Sequence, residues 1–248
     1  MRNRFFQLRT LLDKLFRRNG NDDEFVGVDS REFLCSKLKD RPQPLILDVG
    51  ANRGQSAWKY IKLFPGCTIH SFEPFTEMYE KLCEINYPKL YTYNFGLSDK
   101  NDKEIFFLNL GNPTNSLLEL EKNASQNWGN IQALTSHKSL ECEFHTVDWF
   151  LDSEGITKVD FMKIDVQGAE YKVLKGARSS LDNKIIDLIQ LEFLFVPTYK
   201  NQKSFDEYIK LMKKFDYHLV MITDIATVGD RVVQADLFFS HLCRSDAK

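Results

Sequence analysis

Apolar positions along the chain follow two alternating patterns. Leu45, Ile46, Leu47 and Val49 form a run broken only by Asp48, as expected of a strand covered on both faces. Residues 54–64 then read as a helix that stops at Pro65-Gly66. The alternation repeats as a strand at 68–72, a helix at 75–86 and a strand at 91–97. It resumes as a strand at 159–166, a helix at 169–175, a strand at 185–193 and a helix at 204–215. A final pair of strands at 219–223 and 235–240 encloses a loop with Gly229-Asp230. Strand and helix alternating in this way predict an α/β fold with a mainly parallel sheet and helices on both faces.

Two stretches depart from the alternation. Residues 99–158 are too long for a simple connection. They hold expected strands at 104–108 and 141–147, separated by 112–138, which is rich in Asn, Ser, Thr and Gln. This reads as an insertion with a hairpin and a mobile loop, placed where loops often carry substrate contacts. At the N-terminus, Leu8, Leu11, Leu12, Leu15 and Phe16 share one helical face among Arg2, Arg4, Arg9, Lys14, Arg17 and Arg18. A helix of this kind either packs on its own domain, the commoner fate, or lies on an anionic membrane surface. Charged residues interrupt each apolar stretch there, so a secretory h-region is not expected. Residues 19–23 read as a linker. The expected organisation is therefore an N-terminal basic amphipathic helix and linker at 1–43 and one domain at 44–248, with the insertion at about 99–158.

Composition narrows the function classes. The 248 residues carry a formal net charge of −2, with 43% hydrophobic and 27% charged residues, ordinary for a globular protein. Such a balance argues against nucleic acid as an obligate partner. No apolar run reaches the ~20 residues of a membrane-spanning helix. The five cysteines, Cys35, Cys67, Cys83, Cys142 and Cys243, include no CxxC pair. They fit a reducing, cytoplasmic setting, with residues 1–18 offering peripheral contact at the inner membrane face.

The segment Asp48-Val49-Gly50-Ala51-Asn52-Arg53-Gly54 joins the first strand to the first helix, at the sheet edge where open α/β folds bind ligands. Its spacing is GxxxG, which is neither the dinucleotide fingerprint nor a phosphate loop. A turn led by a carboxylate suits a ligand with positive charge, such as an amino group or a sulfonium. Glu73, 23 residues beyond Gly50, ends the second strand just before Pro74. Alone it fits a solvated strand-end carboxylate; with the glycine turn it fits a ribose-hydroxyl acceptor. An adenosine compound with a cationic amino-acid part follows, and S-adenosylmethionine meets that description better than NAD.

The chain resembles the FkbM-type methyltransferases, a class I S-adenosylmethionine-dependent family. Four ordered motifs carry the resemblance: Leu47-Asp48-Val49-Gly50-Ala51-Asn52-Arg53-Gly54-Gln55-Ser56; Phe72-Glu73-Pro74; Asn94-Phe95-Gly96-Leu97-Ser98-Asp99; and Asp160-Phe161-Met162-Lys163-Ile164-Asp165-Val166-Gln167-Gly168-Ala169-Glu170, continuing through Val173-Leu174-Lys175-Gly176-Ala177. The family usually has Glu where Gln167 stands, which removes one carboxylate here. The resemblance implies a Rossmann-like seven-stranded sheet whose last strand is antiparallel and slots between the fifth and sixth. The short link between the final two strands agrees with that order. By similarity, Asp48, Gly50, Asn52 and Gly54 surround the methionine part of the cofactor, with Ser56 in the same motif. Glu73 holds the ribose, and Asn94 and Leu97 lie toward the adenine. Members commonly methylate hydroxyls of sugars and natural-product scaffolds.

A hydroxyl acceptor needs a base or a metal near neutral pH. Asp165, at the end of the fourth strand, is the leading base, with helix capping as its alternative role. Glu192 ends the fifth strand within an apolar run and is expected on the same rim, either as a catalytic partner of Asp165 or salt-bridged to Lys163 or Arg178. The pair could share a proton or join a Mg²⁺ site; the metal-free reading is preferred because no third ligand is evident. Glu170 is expected on its helix face or toward the cofactor. His70 reads as core, His145 as a base only if its strand edges the pocket, and His137 as part of the mobile loop. Asp148 is expected to cap a helix at 149–151. The segment 115–118 could close the pocket, and Trp128 could stack on a sugar or anchor its loop. The expected function is O-methylation of a saccharide, glycolipid or natural-product acceptor. The alternative is a cofactor-binding, non-catalytic subunit of a larger assembly. An oxidoreductase is disfavoured by the lack of GxGxxG.

Overall fold

The computed structural model describes residues 29–110 and 112–242. In chain order the strands are β1 (Leu45–Val49), β2 (Thr68–Phe72), β3 (Leu90–Tyr93), β4 (Gly96–Leu97), β5 (Asp102–Asn109), β6 (Ser136–His145), β7 (Val159–Ile164), β8 (Ile186–Leu194), β9 (His218–Val228) and β10 (Arg231–Ser240). The helices are α1 (Ser30–Leu38), α2 (Gln55–Leu63), α3 (Thr76–Cys83), α4 (Ala124–Asn127), α5 (Val147–Ser153), α6 (Glu170–Lys175), α7 (Arg178–Asp182) and α8 (Phe205–Lys214). Among the described residues, seven strands form one sheet in the order β3-β2-β1-β7-β8-β10-β9. Strands β3, β2, β1, β7 and β8 pair in parallel, while β10 runs antiparallel to both β8 and β9. The last strand thus lies between the fifth and sixth, as expected.

Two cores flank the sheet. On one face, Leu47, Val49, Met162, Ile164, Ile189, Leu191 and Leu237 meet Phe150 of α5, Leu174 of α6, Leu181 of α7 and Met212 of α8. On the other, Ile46, Ile69, Phe161, Leu188 and Phe238 meet Leu34 and Leu38 of α1, Ala57 and Tyr60 of α2 and Leu82 of α3. Successive strand residues point to opposite faces, so each strand feeds both cores. The sequence reading places no element between Asp23 and Pro44, yet α1 occupies part of that stretch and buries Phe33, Leu34 and Leu38. Asp29 caps it by accepting from Arg31 N. The basic amphipathic segment 1–18 lies outside the described residues.

The structure differs from expectation in four other places. The final strands, expected at 219–223 and 235–240, run His218–Val228 and Arg231–Ser240 and leave Gly229-Asp230 as a tight turn. The third strand, expected at 91–97, breaks after Tyr93, and Gly96–Leu97 joins a second sheet in the order β4-β6-β5. Asn94 makes the break by donating its side-chain amide to the carbonyl of Glu73. The strand expected at 141–147 ends at His145, because Thr146 accepts from Trp149 N and starts α5. The 112–138 stretch is docked rather than loose. Leu120, Ala124 and Leu134 pack with Leu194 and Tyr199, and the Trp128 indole donates to Thr198 Oγ1 at 2.8 Å.

Candidate active site

The site grows from the two-residue period of the strands. On the face covered by α1 and α2, a first row across the sheet is apolar: Ile69, Ile46, Phe161 and Leu188 are register partners. Two residues further along lies a second row of Ser71, Asp48, Lys163 and Gln190. Another two residues on come Glu73, Gly50, Asp165 and Glu192, and β10, running the opposite way, sets Asp236 beside Glu192. One face is therefore apolar toward one end and polar at the carboxyl edge. A cleft of about 450 Å³, part of it open to solvent, lies there, lined among others by Gln55, Ser56, Lys163, Asp165, Glu192 and Asp236.

The turn after β1 presses against the end of β7. Gly50 has φ 81°, and a Cβ on it would stand 2.0 Å from the Asp165 carbonyl oxygen. The sequence reading gives Gly50 to ligand approach; in the structure its missing side chain admits a neighbouring backbone. Asn52 also lies in the left-handed region, at φ 50°. Its N–H donates to Glu73 Oε2 at 2.8 Å, while Phe75 N donates to Glu73 Oε1 at 2.9 Å. Glu73 thus ties the glycine turn to the turn after β2. Burial pushes its pKa up to about 7, against the lowering effect of those two N–H groups.

Lys163 stands in the middle of the polar row. Its ammonium donates to Asp165 Oδ2 at 2.9 Å and lies 3.9 Å from Asp48 Oδ1. Burial opposes its charge, but Asp165 and Asp48 outweigh that and hold its pKa above the ordinary lysine value. Asp48 is 0 % exposed, and burial pushes it up to about 6 despite Lys163. Burial also lifts Asp236 to about 7 and Glu192 well above the usual carboxylate range, with Asp165 adding to both. Gln167 bridges the pair expected on the rim: its Nε2 donates to Asp165 Oδ1 at 2.9 Å and to Glu192 Oε2 at 2.5 Å. Gln234 Nε2 donates to Glu192 Oε1 at 2.5 Å. Asp165 keeps 30 % of its side chain exposed. Among the described residues no group of three or more His, Cys, Asp and Glu is arranged to hold a metal ion.

The structure brings together Asp48, Gly50, Asn52, Glu73, Asp165 and Glu192, with Ser56 on the cleft wall. Gly54, at φ 86°, instead faces Ile85 and Leu82. The Asn94 side chain holds the Glu73 carbonyl and accepts from Thr76 Oγ1. Leu97 is 1 % exposed, inside the core with Phe72 and Phe150. Glu170 folds back over its own turn, accepting from Val166 N and Gly168 N. His70 is core, bonded to the Tyr93 hydroxyl, with its pKa lowered to about 4 by burial. His145 stacks on Trp149 and bonds Glu143, outside the cleft lining. His137 lies in β6 rather than in a loop. Asp148 does not cap α5; it accepts from Ser179 N and Ser180 N at the start of α7. Sequence reasoning missed Gln190, Gln234, Asp236 and Tyr199 as neighbours of the rim carboxylates. Polar residues at two-residue spacing after Leu188 and before Phe238 were the available signal.

The sequence profile described as the Methyltransferase FkbM domain matches residues 48–219. The chain belongs to the FkbM methyltransferase family. It is 24% identical over 184 residues to the 2-O-methyltransferase NoeI of Sinorhizobium fredii, covering 72% of this chain and 75% of that protein. It is 26% identical over 205 residues to the AMB antimetabolite synthetase AmbE of Pseudomonas aeruginosa, covering 69% of this chain but only 10% of that much longer protein. The crystal structure of a methyltransferase FkbM from Methylobacillus flagellatus superposes with a TM-score of 0.51 at 15% identity, over 79% of this chain and 44% of that one. That likeness carries the fold.

Membership in the FkbM family implies S-adenosylmethionine as the methyl donor, and the residues at the rim fit it. Asp48 Oδ1 is a buried oxygen with no hydrogen-bond partner. Glu73 uses one acceptor site on each oxygen for the turns and keeps another on each. No helix among the described residues is long and apolar enough to cross a membrane.

Proposed function

We propose that this domain methylates a hydroxyl of a saccharide, glycolipid or natural-product acceptor. S-adenosylmethionine, when bound, supplies the activated methyl carbon. Asp48, Gly50, Asn52 and Ser56 would hold its amino-acid part and Glu73 its ribose, with Asn94 on the adenine side. The chain's own task is to align the acceptor and take its proton. The observation that carries this reading is the placement of Asp165, a solvent-reaching carboxylate between Lys163 and Gln167 at the cleft. Lys163 holds its Oδ2, and the side chain stays partly exposed to a hydroxyl in the cleft. Glu192, one step along the rim, is its partner. Two relatives support the acceptor class: one is named a 2-O-methyltransferase and the other an antimetabolite synthetase. In the same reading the protein works in the cytoplasm. Residues 1–18 are left with the two alternatives of the sequence, packing on the domain or contact with anionic lipid: sedimentation with anionic but not neutral vesicles would support the lipid contact, and equal sedimentation with both refutes it.

The test starts with S-adenosylhomocysteine. Isothermal titration should show binding to the wild type and to Asp165→Asn alike. Radiolabelled methyl transfer from S-adenosylmethionine to a panel of free sugars, nucleotide sugars and glycolipid extracts should then be lost in Asp165→Asn. A wild type that binds no S-adenosylhomocysteine overturns the reading. Binding with no transfer to any acceptor returns the alternative, a non-catalytic cofactor-binding subunit.

A further inference from the structure

Gln167 has φ 57°, a left-handed conformation that a residue with a Cβ keeps only where its surroundings enforce it. The surroundings here come from two distant loops. Ser116, in the insertion after β5, donates its hydroxyl to the Gln167 carbonyl at 2.7 Å. Tyr199, in the loop after β8, is 2 % exposed and lays its ring over Gly168, where a Cβ would come within 2.7 Å of it. Its hydroxyl donates to the Thr114 carbonyl at 2.8 Å and lies 3.3 Å from Gln167 Oε1. That single phenol proton goes to the Thr114 carbonyl, the nearer acceptor, and reaches Oε1 only as the longer arm of a shared bond. Two carboxylates that only accept therefore fix the hydrogen-bearing end of the amide, Nε2, toward Asp165 and Glu192.

An amide nitrogen carries two hydrogens, one for each carboxylate, and brings no charge of its own. Two carboxylates this close disfavour each other's ionisation unless a donor lies between them. We propose that Gln167, held in its left-handed turn by Ser116 and the Tyr199 ring, is a positioning residue of the methyl-transfer site, bridging Asp165 and Glu192 so that both remain acceptors and Asp165 faces the acceptor hydroxyl in one orientation. This rests on Asp165 being the base. The other groups facing the pair are Lys163 of β7, Asp48 of β1, Asp236 of β10, Glu170 of α6, Glu73 after β2 and the Tyr199 phenol.

The test needs no acceptor. Protein labelled with ¹³C at the Asp and Glu carboxyls is titrated by NMR, with Asp165→Asn and Glu192→Gln assigning the two signals. Gln167→Met keeps the side-chain length and removes both donors. It should raise the midpoint of Asp165 or Glu192 by about one pH unit or more. Tyr199→Phe, which keeps the ring over Gly168, should leave both midpoints near wild type. S-adenosylhomocysteine affinity, measured alongside, should stay near wild type in both variants. If Gln167→Met leaves both midpoints where they were, the bridge is refuted. If Gln167→Met does not fold, Gln167→Glu carries the test: a third carboxylate must raise the midpoints, and an unmoved titration is again a refutation. A wild type that fails to bind S-adenosylhomocysteine counts against the methyltransferase reading alone, since the titration still judges the bridge.

Discussion

The contact between the glycine turn and the end of β7 predicts unequal costs for the same substitution at two glycines. Gly50 and Gly155 both have positive φ, 81° and 63°. Alanine there carries a conformational penalty of about 1 kcal/mol at each site. At Gly155 a Cβ meets nothing within 4 Å. At Gly50 it would lie 2.0 Å from the Asp165 carbonyl oxygen and 3.2 Å from Val166 Cγ1. A backbone carbonyl cannot swing aside, so the turn must lift from β7. That strains the bonds from Asp165 N to Val49 O and from Gly50 N to Phe72 O, 3.0 and 3.1 Å long. Overpacking strain of about 1–3 kcal/mol and one weakened hydrogen bond of about 1 kcal/mol add to the shared penalty. Gly50→Ala should therefore be less stable than Gly155→Ala by about 2–4 kcal/mol, and its Tm lower by roughly 4–16 °C at ~2–4 °C per kcal/mol. Calorimetric melts give the Tm values. S-adenosylhomocysteine titration should show weakened binding only for Gly50→Ala, because Asp165 and the turn move together. Equal Tm losses in the two variants would refute the close approach, and unchanged binding by Gly50→Ala would detach the turn from the cofactor site.

Two further substitutions test carboxylates outside the cleft lining. Burial raises Glu170 to about 7 in the folded chain from an ordinary value near 4.5. The folded state therefore holds a proton that the unfolded state has released, and stability falls as pH rises through that window. Glu170→Gln keeps an acceptor for Val166 N and Gly168 N without the titration. Its Tm should exceed wild type at pH 8 and match it near pH 5; an equal difference at both pH values would show that ionisation is not the cause. Wild type itself should melt lower at pH 8 than at pH 5, since Glu73 and Asp236 are raised in the same way. Asp148→Ala removes the acceptor of Ser179 N and Ser180 N at the start of α7, a cap worth about 0.5–2 kcal/mol. The Tm should fall by roughly 1–8 °C with S-adenosylhomocysteine affinity intact, and a loss of affinity would place Asp148 in the site instead.

What could be read in the sequence was whatever short-range periodicity encodes. The runs around Leu47, Met162 and Ile189 are continuous because both faces of those strands are covered, so their existence and parallel order were legible. The break after Tyr93 was not, because the chain passes from one sheet to another without a helix-like or turn-like interruption in its apolar pattern. Asp148 precedes a helix and so reads as its cap, but Thr146 already holds that place, and the unsatisfied N–H groups it serves are 31 and 32 residues on. Tyr199 gave no local signal at all, since its partners at Thr114 and Gln167 are set by how two loops meet.

The carboxylates make the remaining distinction. Asp48, Glu73, Asp165 and Glu192 are all acidic residues at or near strand ends, and nothing in their neighbours along the chain ranks them. Depth does. Asp48 lies one row below the edge and is fully enclosed; Glu73 is occupied by two backbone N–H groups. Glu192 is held by two glutamine amides. Asp165 combines a bonded lysine with substantial exposure at the cleft. A group that must meet a diffusing acceptor needs both a fixed orientation and access, and the sheet register gives Asp165 that combination by setting Lys163 two residues beneath it on the same face.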